Sequence, residues 1–148
     1  MTPMRRLAAL LALVLHLCPA FAVGTQDDPR ATHPDFEPGL SAIRTREWPE
    51  AVRHFLVVVQ GEPGNADAHN WLGYAYRQQG QMEASFRHYR EALRLAPDHR
   101  GAHEYIGEAY LMIGDKAKAR EHLAALERLC GRDCEEYRDL ARAIAAAK

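Results

Sequence analysis

The chain has 148 residues, three cysteines and a formal net charge of −1. That length supports one domain of ordinary size. A near-neutral, slightly acidic balance gives no electrostatic drive toward nucleic acid or an anionic membrane, so neither is expected as a partner.

The first segment reads as an export leader over residues 1–22. Arg5 and Arg6 supply a positive start, residues 7–17 are apolar apart from His16, and Ala20-Phe21-Ala22 offers a small-x-small cleavage pattern. The apolar run is too short for a bilayer span of about 20 residues, and Leu17 before Cys18 does not fit a lipidation site. Cleavage after Ala22 removes two arginines and no acid, taking the net charge from −1 to −3. The expected location is therefore exported, periplasmic, with no stable membrane insertion. Residues 23–34, rich in Asp, Pro and Thr, read as a flexible linker, and residues 35–148 as one domain.

Helical periodicity then runs to the end of the chain. In the first unit, residues 32–65, Pro34 and Pro38 shorten the leading helix to roughly 39–46. A second helix over 49–60 turns Ala51, Val52, Phe55, Leu56 and Val59 inward. In the second unit, residues 66–99, a helix over 66–79 carries Trp71, Leu72, Ala75 and Tyr76. Gly80 turns the chain, and a helix over 82–96 carries Phe86, Tyr89, Ala92, Leu93 and Ala96 before Pro97 stops it. The third unit, residues 100–131, repeats this with Tyr105, Ile106, Ala109 and Tyr110, then Ala119, Leu123, Leu126 and Leu129. Residues 133–147 form a capping helix with Asp133 as N-cap and Tyr137, Leu140, Ala141 and Ile144 on its apolar stripe.

Five columns recur at a step of 34. They are Gly39, Gly73 and Gly107; Ala51, Ser85 and Ala119; Phe55, Tyr89 and Leu123; Arg46, Gly80 and Gly114; and Pro63, Pro97 and Gly131. These columns resemble the tetratricopeptide repeat family, whose period is 34. The resemblance covers about residues 32–131 and implies an all-α fold: a short right-handed α-solenoid of three helix-turn-helix repeats closed by a C-terminal capping helix. It departs from the family pattern at Arg46, Val58, Leu126 and Gly131.

No catalytic set emerges from the residue order, so no enzyme activity and no cofactor are expected. His99 and His103 have i, i+4 spacing, which suits a metal, but His99 falls in the turn before its helix and no glutamate brackets the pair; solvated surface histidines are the expectation, with no metal. His69, His88 and His122 sit beside the packing columns as partly buried filler. Trp48, Trp71 and the tyrosines are expected in the core. Cys130 and Cys134, an even pair in an exported protein, are expected to form a disulfide stapling the turn before the last helix; a reduced pair is the alternative.

The resemblance also implies a concave groove lined by the first helix of each hairpin. Carried onto this chain, the groove positions are Asp67, Asn70, Tyr74, Arg77 and Gln78, then Gly101, Glu104, Glu108, Leu111 and Met112. The family's carboxylate clamp needs lysines and asparagines there; only Asn70 fits, and Glu104 and Glu108 would repel a carboxylate. The expected function is non-catalytic binding of a protein or peptide segment in the cell envelope. The alternative is an accessory subunit in an envelope assembly, such as cytochrome maturation or outer-membrane assembly, with a metal- or thiol-dependent enzyme using His99, His103 or the cysteines ranked below both.

Overall fold

A computed structural model of the chain describes residues 33–147. The leader and most of the linker lie outside the described residues. Seven helices and no strand are present among them: α1 (Phe36–Thr45), α2 (Trp48–Gly61), α3 (Ala66–Gln78), α4 (Met82–Leu95), α5 (Arg100–Met112), α6 (Lys116–Cys130) and α7 (Glu135–Ala146). They pair as three hairpins, α1 with α2, α3 with α4 and α5 with α6, while α7 packs on both α5 and α6. This is the expected all-α solenoid.

Each hairpin is closed by a left-handed residue at the same repeat position. Gly80 and Gly114 have φ of 73° and 81°, a conformation in which glycine meets no Cβ penalty. Arg46 occupies the equivalent place with φ 61°. Its N–H donates to Ile43 O and the Glu47 N–H donates to Ala42 O, so the αL cap forms despite the side chain.

The first hairpin is more complete than its prolines suggest. α1 starts at Phe36, three residues before the expected start at Gly39. Pro38 falls in the first turn, where a helix has no acceptor for its N–H groups in any case. Phe36 is buried and meets Phe55 edge-on at 5.5 Å. On α2 the inward position is Val58, fully buried, whereas Leu56 is 41% exposed. Val58 thus fills the place taken by Ala92 and Leu126 in the later units, all three without exposure.

Close approach explains the glycine column. A Cβ on Gly39 would lie 2.8 Å from the Phe55 ring, and one on Gly73 would lie 2.5 Å from the Tyr89 ring. Beside the second contact, the buried Ser85 hydroxyl donates to the Gly73 carbonyl at 2.8 Å. In the third hairpin the equivalent residue is Leu123, yet the atom facing Gly107 belongs to Leu140 of α7, at 2.6 Å from the Cβ position. Leucine is smaller than the aromatic rings of the earlier units, and the capping helix fills the notch instead.

Two expectations at the C-terminal end are corrected. Leu129 is 41% exposed rather than inward, and the inward position near the helix end is Leu126, which is fully buried. The N-cap of α7 is Cys134, in extended conformation, not Asp133. The Cys130 and Cys134 Cα atoms are 5.9 Å apart with their sulfurs at 2.11 Å, so the chain between them is a tight turn and the helix begins only after Cys134.

Candidate functional site

Helices α3, α5 and α7 lie side by side and present one face of the stack. Their 34-residue register decides what that face carries. Trp71 and Tyr105 are repeat equivalents, and they meet at 6.1 Å between ring centroids. Tyr74 sits between them and Trp48, at 5.8 Å from Trp71, 5.1 Å from Tyr105 and 6.0 Å from Trp48. All four rings are only partly buried. Trp71 and Tyr105 also pack against the buried core, as expected, whereas Trp48 and Tyr74 are half-buried beside it, and the four together make a partly open floor.

Over this floor lies Arg77. Its guanidinium carbon is 5.2 Å from the Tyr74 ring centroid and 5.6 Å from that of Tyr105, within cation–π range. Arg77 forms an ion pair with Glu108 of α5. The arginine side chain is 6% exposed and the glutamate 30%. The expected acidic pair of Glu104 and Glu108 is therefore unequal: Glu108 is paired with Arg77, and Glu104 has no basic partner among the described residues. Burial, with the neighbouring charges of Glu108, Asp139 and Glu136, pushes the Glu104 carboxyl up to about 8. Burial also raises the Tyr105 hydroxyl to about 12.

Beside Glu104 is a pocket of about 250 Å³ between α5 and α7, lined by Gly101, Glu104, Tyr105, Glu135, Glu136 and Asp139. Arg100 approaches Glu136 at 3.4 Å, and Arg142 pairs with Asp139. Next to this pocket, Asn70 of α3 is 3% exposed, and its Oδ1 has no hydrogen-bond partner. Its Nδ2 lies 3.5 Å from the Cβ position of Gly101, an ordinary contact distance. Asp67 is exposed and faces His99 Nε2 at 3.0 Å; the bond from His99 holds its carboxyl below the usual carboxylate range.

Of the groove positions carried over by resemblance, Asn70, Tyr74, Arg77, Gly101, Glu104 and Glu108 come together. Gln78 and Met112 are exposed at the far ends of their helices and Leu111 is half-buried; none of the three joins the ring cluster or the ion pair. Trp48, Tyr105, Glu136 and Asp139 complete the surface unforeseen. Tyr105 was accessible from the sequence as the equivalent of Trp71, but the two acids depend on where α7 docks.

The histidines are not solvated as expected. His99 is the N-cap of α5, accepting through Nδ1 from the Ala102 N–H at 3.1 Å. His103 turns away from it, toward His122 and the Pro97 carbonyl. The two rings thus offer no common metal position. Among the described residues one trio of potential ligands converges, Cys130, Cys134 and Glu136, within 4.8 Å of one another.

With this geometry in hand, the comparisons are consistent. A family model described as tetratricopeptide repeat matches residues 37–98 and 84–133. No curated protein sequence matches the chain. Among solved structures, the TPR2B domain of yeast Sti1 in its pHsp70 complex is similar, with 16% identity, a TM-score of 0.69, and coverage of 76% of this chain and 92% of that one. The Arabidopsis OM64 TPR domain has 14% identity and a TM-score of 0.69, covering 75% and 91%. The first TPR of Spaghetti (RPAP3) bound to the HSP90 peptide SRMEEVD has 17% identity and a TM-score of 0.64, covering 74% and 90%. The period of 34, the glycine and turn columns, the stacked hairpins and a family match over most of the described domain establish that this chain belongs to the tetratricopeptide repeat family.

Proposed function

We propose that the chain is a non-catalytic, exported interaction module that holds an extended segment of a partner protein along the α3, α5 and α7 face. The observation that carries this reading is the aromatic floor of Trp48, Trp71, Tyr74 and Tyr105 beside the acidic pocket at Glu104. Exposed rings in a shallow groove supply contact area at little entropic expense, and carboxylates at its edge select for charge. One similar solved domain is in a pHsp70 complex and another is bound to the HSP90 peptide SRMEEVD. The charge of that peptide is wrong for this groove, where Glu104, Glu135, Glu136 and Asp139 line the pocket. The segment that fits here is basic, placing a lysine or arginine beside Glu104, whose raised carboxyl gives up its proton as the cation binds.

An export leader over residues 1–22 would carry this activity to the cell envelope, where a Cys130–Cys134 disulfide would persist. Selection of a displayed random-peptide library on the immobilised protein tests the reading. Enrichment of lysine- or arginine-containing peptides, lost in the charge-reversed variant E104K/E136K, is the expected result. Enrichment of acidic C-terminal peptides, or equal binding by both proteins, would overturn it.

A further inference from the structure

Two further columns keep the step of 34. Asp35, His69 and His103 are 34 apart, and so are His54, His88 and His122. The structure joins them pairwise across each hairpin. His54 Nδ1 lies 2.8 Å from Asp35 Oδ1. His69 Nδ1 lies 3.0 Å from His88 Nδ1, and His103 Nδ1 lies 2.9 Å from His122 Nδ1. The second and third hairpins therefore carry imidazole–imidazole bonds where the first carries a carboxylate–imidazole bond.

The protons in these pairs can be placed. A backbone carbonyl only accepts, and the Nε2 atoms of His69 and His103 face Pro63 O at 3.2 Å and Pro97 O at 3.0 Å. Those Nε2 atoms carry hydrogen, so in the neutral rings Nδ1 of His69 and His103 is the acceptor. His88 and His122 must then donate from Nδ1. Behind them Tyr76 stacks on His88 at 5.5 Å and Tyr110 on His122 at 5.7 Å, which packs one face of each ring.

We propose that the His69–His88 and His103–His122 pairs make the second and third hairpins acid-responsive fasteners, each neutral and closed at neutral pH and opened by proton uptake. One proton on the outer Nε2 of His88 or His122 leaves the bond in place but puts a cation in a partly buried ring. A second proton sets N–H against N–H at about 3 Å and removes the bond altogether. The surroundings do not favour the charge. His88 faces His69 of α3 and has Arg87 and Glu91 on its own helix. His103 has His99 and Arg128 nearby, and Lys118 lies over the Tyr110 ring. Burial holds His88 and His122 down to about 4, and it also lowers His103. The unfolded chain takes up these protons near 6.5. The folded state therefore binds fewer protons than the unfolded state between about 6.5 and about 4. The contribution is fully present above that window and is lost as pH falls through it. The Asp35–His54 pair keeps its bond when its imidazole is protonated, so the first hairpin lacks this response.

The test uses the full chain in an E104Q background, which removes the opposite pH response of that carboxyl. Nitrogen-15 NMR of the histidine rings, followed from pH 7.5 down to about 4, should show His88 and His122 as Nδ1–H tautomers that titrate well below 6.5. Urea unfolding over the same range should show the unfolded fraction rising about tenfold or more. H69D/H103D, which copies the first hairpin's carboxylate into the other two, should flatten that rise. Ordinary titration near 6.5 by His88 and His122, or an unchanged urea midpoint, overturns the proposal. If H69D/H103D fails to fold, H88Q/H122Q replaces it; the amide donates one neutral hydrogen bond, and a rise persisting in that variant also overturns the proposal.

Discussion

Arg77 and Glu108 form an ion pair between α3 and α5, at a sequence separation of 31 residues. It joins the second hairpin to the third directly across the groove, while the same guanidinium lies over Tyr74 and Tyr105. One side chain therefore ties the aromatic floor to the acidic wall.

Removing that side chain should be costly. R77A leaves a partly buried carboxylate unpaired and uncovers two rings, and breaking a buried pair from one side costs about 3 kcal/mol. R77A/E108A should recover part of that loss, because no orphaned charge remains. Urea unfolding of the wild type and the two variants measures the difference; equal destabilisation by both variants would contradict the coupling.

Glu104 should give a pH signature of its own. Its carboxyl is raised to about 8 in the folded chain against an ordinary value of 4.5. The folded state thus holds a proton that the unfolded state has released, and stability falls as pH rises from 4.5 toward 8. E104Q should leave the melting temperature unchanged at the low end of that window and raise it at the high end. A constant offset at every pH would show that Glu104 titrates normally.

The left-handed Arg46 predicts a stabilising substitution. The two later hairpins use glycine there, and an L side chain in this conformation costs roughly 1 kcal/mol. R46G should raise stability by about 0.5–1 kcal/mol after the added freedom of the unfolded chain is allowed for. A calorimetric melting scan is sufficient to check it.

At Gly107 the direction reverses. A methyl group there would meet Leu140 at 2.6 Å, and overpacking of this kind costs about 1–3 kcal/mol. G107A should also speed hydrogen exchange along α7, since Leu140 is its one fully packed anchor. G64A, where nothing lies within 4 Å, is the control and should change neither property.

The cysteine pair is checked by thiol labelling of the denatured, unreduced mature protein. No label is expected, and reduction should lower stability by about 2 kcal/mol for so short a loop. Full labelling of both residues would show that the pair is open.

The helices were legible because burial repeats with the chain's own period. Gly73, Ser85, Tyr89 and Ala92 each occupy the place that their column implies, and all four are buried. Errors fell where a single contact outside the repeat decides the outcome. Leu56 and Val58 exchange faces within one turn of α2, a shift that three consecutive valines cannot signal. Glu108 looked like half of an acidic pair because helix spacing cannot show that Arg77 reaches it from another hairpin. The imidazole pairs were readable as a column, but nothing in the spacing says that the partners at a separation of 19 residues touch.

Leu140 in the Gly107 notch has a consequence for the length of the array. In the earlier units that notch is served from within the hairpin, by Phe55 or Tyr89; in the last it is served by the terminal helix. A hairpin duplicated upstream of α5 would inherit a ready docking surface and leave the plug undisturbed. One appended after Gly131 would meet a surface already occupied and would first have to evict α7. Growth of this array by tandem duplication is therefore directional, open from within and closed at its carboxyl end by one leucine.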